Sequence, residues 1–391
     1  MRWQKLSKKS KIDTLVNCPE CQTKLKKKNL KEHMEFVHNK KINDIKTKPS
    51  RASYIKKQEN NVKTVLSKKI IGIIAIICIL IIASIIIYTS FNPESSNIPI
   101  DKIHYFVSKE GNGDFLSIQE AIDSVMENDT IFVSKGVYFE NIIIEKSIEL
   151  IGEDKNTTII NGDGFGNVVN ISADNVKISG FTIMNGGAMS GIEPDAGIQI
   201  GSSYNVITDC NISSNKNYGL YLYGNPDTIN NTIEYNTFFN NKYGIYTYYV
   251  EKNNISSNNF IKNSEYGIYF GSVSHNNLIS DNVIKESNYA IRIKTSDNNK
   301  VINNLIMNNN NGIYFCCGAD HNIAYLNVLI NNTNWNAKDP VINIWDNGSV
   351  GNYWDDYNGV DEDGDGIGDT AFLINGGDGD RYPLMQPNKK I

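Results

Sequence analysis

The sequence predicts an all-β solenoid in the C-terminal part of the chain, and three observations carry that expectation. A Gly, once an Ala, followed by an apolar residue recurs at Gly197, Gly219, Gly244, Gly267, Ala290 and Gly312, at intervals of 22, 25, 23, 23 and 22. A second column runs Asn236, Asn259, Asn282, Asn304 and Asn327, and two residues after each comes an apolar side chain: Phe238, Ile261, Ile284, Ile306 and Leu329. No helix caps interrupt this period, which is too short for helical hairpins and suits one β-coil per repeat. A leucine-rich repeat would have the same length, but its leucine consensus and helical half are missing.

Each repeat reads as a strand followed by turns. Strand side chains alternate faces, so Ile198, Leu220, Ile245, Ile268, Ile291 and Ile313 share the inner face with Ile200, Leu222, Thr247, Phe270, Ile293 and Phe315. The residues between them, Gln199, Tyr221, Tyr246, Tyr269, Arg292 and Tyr314, are expected to point to solvent as an outward stripe. Asn suits the turns because it tolerates left-handed backbone, and stacked Asn amides can bond in ladders. One coil cannot bury its own apolar face, so coils must stack about 4.8 Å apart.

The overall charge of −5 hides an asymmetry. Residues 1–69 carry 20 Lys and Arg against 6 Asp and Glu, net +14, which leaves 18 against 37, net −19, for residues 70–391. The two parts are expected to face different compartments or partners. Six scattered Cys do not form a disulfide scaffold.

Residues 1–45 contain Cys18, Cys21, His33 and His38, spaced C-x2-C-x11-H-x4-H, with Leu25 and Leu30 placed as a small core. This resembles a two-Cys, two-His zinc finger and implies a bound zinc ion, although the gap between the second Cys and the first His is one residue short. Lys26, Lys27, Lys28, Asn29 and Lys31 could contact nucleic-acid phosphate or an anionic inner leaflet. Residues 46–69 are a basic linker. Residues 70–88, IIGIIAIICILIIASIIIY, are uncharged and match the thickness of a bilayer core at about 1.5 Å per residue. Lys68 and Lys69 abut the N-terminal end of this run, so the positive-inside rule puts residues 1–69 in the cytoplasm and residues 89–391 outside. The expected protein is a single-pass membrane protein.

Residues 89–102 form a linker, and residues 103–345 hold the solenoid with an N-terminal lid helix. Ser117 and Glu120 form a capping box, and Ile118, Ala121, Ile122 and Val125 fall on one helical face, so this helix is expected to cover the open edge of the first coil. Residues 111–123 and 136–144 resemble the start of pectin methylesterases, whose catalytic segments do not follow. Residues 346–391 read as a C-terminal lid, with Trp335, Trp345, Tyr353, Trp354 and Tyr357 crowded at its start. In this lid Asp361, Asp363, Asp365 and Asp369 match the first part of a calcium loop. Phe372 stands at position 12, so the loop is not an EF-hand; Asp378 or Asp380 could supply a further oxygen.

Taken together, residues 103–386 resemble the right-handed, single-stranded parallel β-helix (pectin lyase-like) superfamily. The likeness is nearest to NosD-like and carbohydrate-binding or sugar-hydrolase archaeal surface proteins, and the run GNYWDDYNGVDEDGDGIGD with the RYPLM after it is the most specific part of it. This fold hosts lyases, hydrolases, epimerases and pure binders, so the resemblance implies architecture more than activity. Arg292-Ile-Lys294 matches an RIK triplet of polygalacturonases, but the companion elements are absent. Glu193 and Asp195 lack an identifiable partner. Cys316, Cys317 and His321 suggest a soft-metal cluster only weakly. The leading expectation is a non-catalytic surface protein that binds extracellular glycans through Tyr221, Tyr246, Tyr269, Arg292 and Tyr314. The alternatives are a polysaccharide-active enzyme and a transmembrane sensor whose tail acts on nucleic acid or protein.

Overall fold

The computed structural model describes residues 104–189, 194–341, 343–374 and 379–389, together with the backbone of residues 15–17 and 24–26. The chain divides into two units, Met1–Ile98 and Pro99–Ile391. In the first, strands Leu15–Asn17 and Lys24–Lys26 pair antiparallel. Cys18, Cys21, His33 and His38 lie outside the described residues, and so does the span expected at 70–88. Among the described residues no helix is long and apolar enough to cross a membrane.

The second unit is a right-handed parallel β-solenoid. Each coil passes through three sheets. The first has ten strands, from His104–Val107 to Ile323–Tyr325; the second has ten, from Gly136–Phe139 to Tyr353–Trp354; the third has nine, from Ile142–Ile144 to Trp335–Lys338. Pairing is parallel and in register, so each sequence column becomes a physical column. Ile198, Leu220, Ile245, Ile268, Ile291 and Ile313 stack along the third sheet and are fully buried. The Gly column has a packing cause: a Cβ on Gly244 would lie 2.4 Å from the Gly267 carbonyl oxygen, and on Gly312 only 1.9 Å from that of Asn336. The solenoid runs past residue 345, because Tyr353–Trp354 still pairs with Val328–Ile330.

The Asn column needs two corrections. Asn258, not Asn259, stands in it. The inward residues on the second sheet are accordingly Phe238, Phe260, Ile284, Ile306 and Leu329, with Phe238 and Phe260 stacked at 4.8 Å; Ile261 faces outward. Nor do the ladder Asn residues themselves take left-handed backbone. The residue before each one does: Tyr235, Ser257, Asp281, Asn303 and Leu326 have φ between 56° and 59°. The Asn turns inward, is buried, and bonds along the solenoid.

Three such ladders run through the core. One comprises Asn205, Asn231, Asn253, Asn277, Asn299, Asn322 and Asn343. The second comprises Asn236, Asn258, Asn282, Asn304, Asn327 and Asn352. The third runs Asn215, Asn241, Asn263 and, further on, Ser287, Asn309, Asn332. In the first two, each Oδ1 accepts the backbone N–H of the Asn one coil earlier, at 2.8 to 3.1 Å. The backbone N–H groups therefore all point toward the C-terminal end, while each Nδ2 also donates back to a carbonyl one coil earlier, and the last backbone N–H of each ladder needs an acceptor. Carboxylates supply it. Asp339 accepts from the Asn343 N–H and from Trp345 Nε1, both at 3.0 Å. Asp380 accepts from the Asn352 N–H at 2.6 Å and Trp354 Nε1 at 2.9 Å. The third ladder reaches Asp355 and Asp356 through Asn332 and Asn336.

Both ends are covered. The helix Ile118–Ser124 packs over the first coil, burying Ile118, Ala121 and Ile122. Ser117 caps it by accepting the Glu120 N–H at 3.3 Å; the carboxylate that takes the next free N–H groups is Glu140, bonded to Ile118 N and Gln119 N. At the other end Trp345 packs tilted against Trp354, and Trp354 stacks on Phe372. Trp335, grouped with this lid from sequence, belongs instead to the outer face of the third sheet.

Candidate binding face

The outward stripe exists in the expected register: Gln199, Tyr221, Tyr246, Tyr269, Arg292 and Tyr314 are paired strand to strand. It does not stand alone. A second column, Tyr218, Tyr243, Tyr266, Tyr289, Asn311 and Trp335, runs beside it on the same sheet. Tyr218 and Tyr221 are three residues apart, so strict alternation would put them on opposite faces. Their rings nevertheless lie 5.2 Å apart, and those of Tyr266 and Tyr269 4.8 Å apart. The spacing of 25, 23 and 23 between the first four tyrosines of this second column was visible in the sequence.

The two columns mesh. Tyr218 stacks on Tyr246 at 4.8 Å and 8°, and Tyr243 on Tyr266 at 5.2 Å and 16°; Tyr246 and Tyr269 meet edge-on. Trp335 closes the row edge-on against Tyr289 and Tyr314. The expectation of solvent-pointing rings with open faces therefore needs correction. Tyr221 is only 5% exposed and Tyr266 8%, and the stacked rings cover one another's faces. Burial raises the phenol pKa of Tyr243 and Tyr314 and pushes that of Tyr269 up to about 12 against the opposing pull of Arg292. These three hydroxyls stay protonated at any ordinary pH.

Arg292 is the centre of this lattice. Its guanidinium lies 5.2 Å from the Tyr269 ring centroid and 5.5 Å from that of Tyr314. Nη1 donates to Tyr266 Oη at 2.8 Å and Nε to Cys316 Sγ at 3.4 Å. Burial opposes the charge, but these two bonds outweigh it and hold the group protonated. Nη2 has no hydrogen-bond partner among the described residues. Lys242 and Lys338 add ammonium groups over Tyr243 and Tyr314. The face can therefore donate many hydrogen bonds and one fixed charge to a ligand, with apolar ring edges between them.

The remaining candidates separate. Asp361, Asp363 and Asp365 come together, with oxygens within 4.8 Å of one another. Asp369 stands outside that group, its Oδ2 accepting the Glu362 N–H at 2.7 Å. Asp380 is no loop ligand: it is fully buried at the end of the second ladder. Asp378 and Glu193 lie outside the described residues, and Asp195 is buried. The Cys316 and Cys317 sulfurs are 3.1 Å apart, while His321 bonds Asp320 at 2.8 Å and does not join them.

Among curated proteins, a probable pectinesterase 56 of Arabidopsis thaliana is 30% identical over 101 residues, 22% of this chain and 35% of that protein, so the chain spans about a third of its relative's length. Among solved structures, the A-module of the Azotobacter vinelandii mannuronan C-5 epimerase AlgE6 has 18% identity over 58% of this chain and 74% of its own, with a TM-score of 0.44. The complex of XylC with xylose has 13% identity over 62% and 68%, with a TM-score of 0.48. These are similarities of shape and say nothing of activity. Residues 122–359 match the family described as "Periplasmic copper-binding protein (NosD)". The copper in that description finds no fitting site among the described residues, where the one group of three possible ligands is the carboxylate set, hard oxygen donors suited to other ions. With more than half of its length matched, the chain belongs to the NosD family.

Proposed function

We propose that this protein is a membrane-anchored surface protein whose aromatic face binds glycans without turning them over. The observation that carries the reading is Arg292, held between Tyr269 and Tyr314 with one guanidinium edge uncommitted among rows of phenol hydroxyls. Sugars present hydroxyls and C–H faces, which phenol oxygens, ring edges and a fixed guanidinium complement. Rigidity from the ladders beneath reduces the ordering cost of binding. The uncharged run at 70–88 with its +14 flank supports a cytoplasmic tail and an external solenoid. In that tail Cys18, Cys21, His33 and His38 would hold zinc, and its lysines would meet phosphate or anionic lipid. Calcium is proposed at Asp361, Asp363 and Asp365.

The test is a glycan array probed with the full chain in detergent, followed by product analysis on every glycan retained. Retention with intact glycans supports the reading. The stretch of likeness to a pectinesterase favours a second one, an enzyme acting on polysaccharide; shortened or de-esterified products would establish it instead.

A further inference from the structure

Cys316 and Cys317 are the one pair of adjacent cysteines in the sequence. In a continuing strand, neighbouring side chains point to opposite faces and two such thiols do not meet. Here the strand Asn311–Cys316 ends at the first of them, Cys317 takes a left-handed φ of 58°, and the two sulfurs lie 3.1 Å apart. Three hydrogen bonds hold this turn. The Thr295 N–H donates to the Cys316 carbonyl at 3.3 Å, Thr295 Oγ1 to the Cys317 carbonyl at 2.9 Å, and the Ala319 N–H to the Cys316 carbonyl at 3.1 Å. Cys316 is buried, with Arg292 Nε donating to its sulfur, whereas Cys317 is exposed. Cys210, the other cysteine among the described residues, is sealed in the core.

We infer that Cys316 and Cys317 close to a reversible vicinal disulfide, with a low-molecular-weight disulfide as the oxidant. The exposed Cys317 attacks first: its thiolate displaces one thiol from the oxidant and forms a mixed disulfide. Cys316 then attacks the Cys317 sulfur, which breaks the mixed bond and releases the second thiol. The balance is protein dithiol plus RSSR giving protein disulfide plus two RSH. A fixed turn with the sulfurs already in contact favours the second step, because the reacting atoms are held together beforehand. Burial raises the Cys316 thiol pKa and Arg292 opposes that rise, so the guanidinium is a positioning group that helps Cys316 to ionise for its attack. Adjacent Cα atoms are about 3.8 Å apart, below the usual span of a disulfide, so the ring is strained and opens again under excess thiol. The oxidised sulfur is one of two side-chain anchors of Arg292, whose guanidinium lies between Tyr269 and Tyr314. The modification therefore falls at the charged centre of the aromatic face, and the pair responds whether or not that face binds a glycan.

The test uses the full chain in detergent. It is equilibrated with oxidised glutathione, free thiols are blocked with iodoacetamide, and the mass of the tryptic peptide 301–338 is measured; that peptide holds these two cysteines and no other. The expected result is the loss of two hydrogens, with neither alkyl group nor glutathione retained, reversed by excess reduced glutathione. Two alkyl groups, glutathione kept on Cys317, or a disulfide-linked dimer would overturn the vicinal bond. Cys316→Ser is expected to trap glutathione on Cys317; a peptide free of glutathione in that variant would overturn the order of attack. Arg292→Gln is expected to slow ring closure at least about threefold, so that the mixed disulfide accumulates, and Arg292→Lys, which keeps the charge, to recover most of the rate. Closure at the parental rate in Arg292→Gln would remove Arg292 from the step.

Discussion

The coils before residue 190 and those after residue 195 share one fold but hold their corners differently. In the early coils the left-handed positions are Asn128, Asp163, Asn175 and Asn185, with Gly164, Gly166 and Gly180, the residue types that tolerate positive φ. In the later coils Asn, Asp and Ser still take this conformation at many corners, but so do Tyr235, Lys252, Lys262, Val273 and Leu326. For β-branched or bulky side chains this conformation is costly. What differs is the next residue. After Tyr235, Lys252, Lys262 and Leu326 it is a buried ladder Asn, and after Val273 it is Ser274, bonded through its N–H to Ser296 Oγ. A corner fixed from inside does not need a permissive residue outside. The regular repeat in the sequence is the trace of these ladders, which is why it begins where they begin.

Breaking a ladder should therefore have the largest effect. Asn282→Ala removes the acceptor for Asn258 N and Nδ2 and the donor to Asn304 Oδ1 and the Ile255 carbonyl, all buried. With buried donors left unpaired, the expected loss is about 3–5 kcal/mol by denaturant unfolding. Asn185→Ala in an early coil loses one bond, to Asn161 Oδ1, and sets Ala at a left-handed φ of 59°, so it should lose about 2 kcal/mol. Similar losses at the two positions would dissolve the distinction between the two regions.

The ladder ends should be visible as a pH dependence. Burial pushes Asp380 up to about 6 from 3.8, against the hydrogen bonds it accepts from Asn352, Trp354 and Tyr382. The folded state thus binds the proton more tightly than the unfolded state does. Stability is then expected to fall as pH rises from about 4 to about 6, by roughly 2–3 kcal/mol. Asp346 works in the opposite sense: although its burial acts upward, its bonds to Arg381 and to backbone N–H groups lower it, so its contribution is present above 3.8 and lost at more acid pH. Stability should pass through a maximum near pH 4, and Asp380→Asn should flatten the limb above it. A limb that survives that substitution belongs to another group.

Calcium sharpens the comparison least, because Asp361, Asp363 and Asp365 lie beyond the last coil. A weak extracellular-type site would contribute on the order of 1 kcal/mol at millimolar calcium. Melting with calcium and with EDTA should differ by a few degrees at most; identical curves would leave the three carboxylates as a solvated turn.

The sequence made the coil, the inward columns and the outward stripe legible, because parallel in-register stacking converts a column of letters into a column in space. It misplaced the Asn at 259 because Asn258 and Asn259 are adjacent, and only the inward turn of the backbone distinguishes them. Tyr218, Tyr243, Tyr266 and Tyr289 were overlooked because strict alternation assigns them inward, whereas their rings pack against those of the outward column. Trp335 was grouped with Trp345 by proximity in sequence, although a strand separates their roles. Asp339 and Asp380 carry no motif; their function follows from the direction of the ladders, which appears only once the amides are paired.

The most direct test of the proposed glycan-binding face is the affinity of Arg292→Gln for a glycan that the full-length parent retains. Gln keeps a polar side chain at the outward position but is shorter and lacks the charge and the forked donors. The expected result is at least a tenfold larger dissociation constant, about 1.4 kcal/mol, with the fold retained and a melting temperature lowered by the loss of the bonds to Tyr266 and Cys316. An unchanged dissociation constant would place the binding elsewhere and leave the tyrosine rows as packing alone.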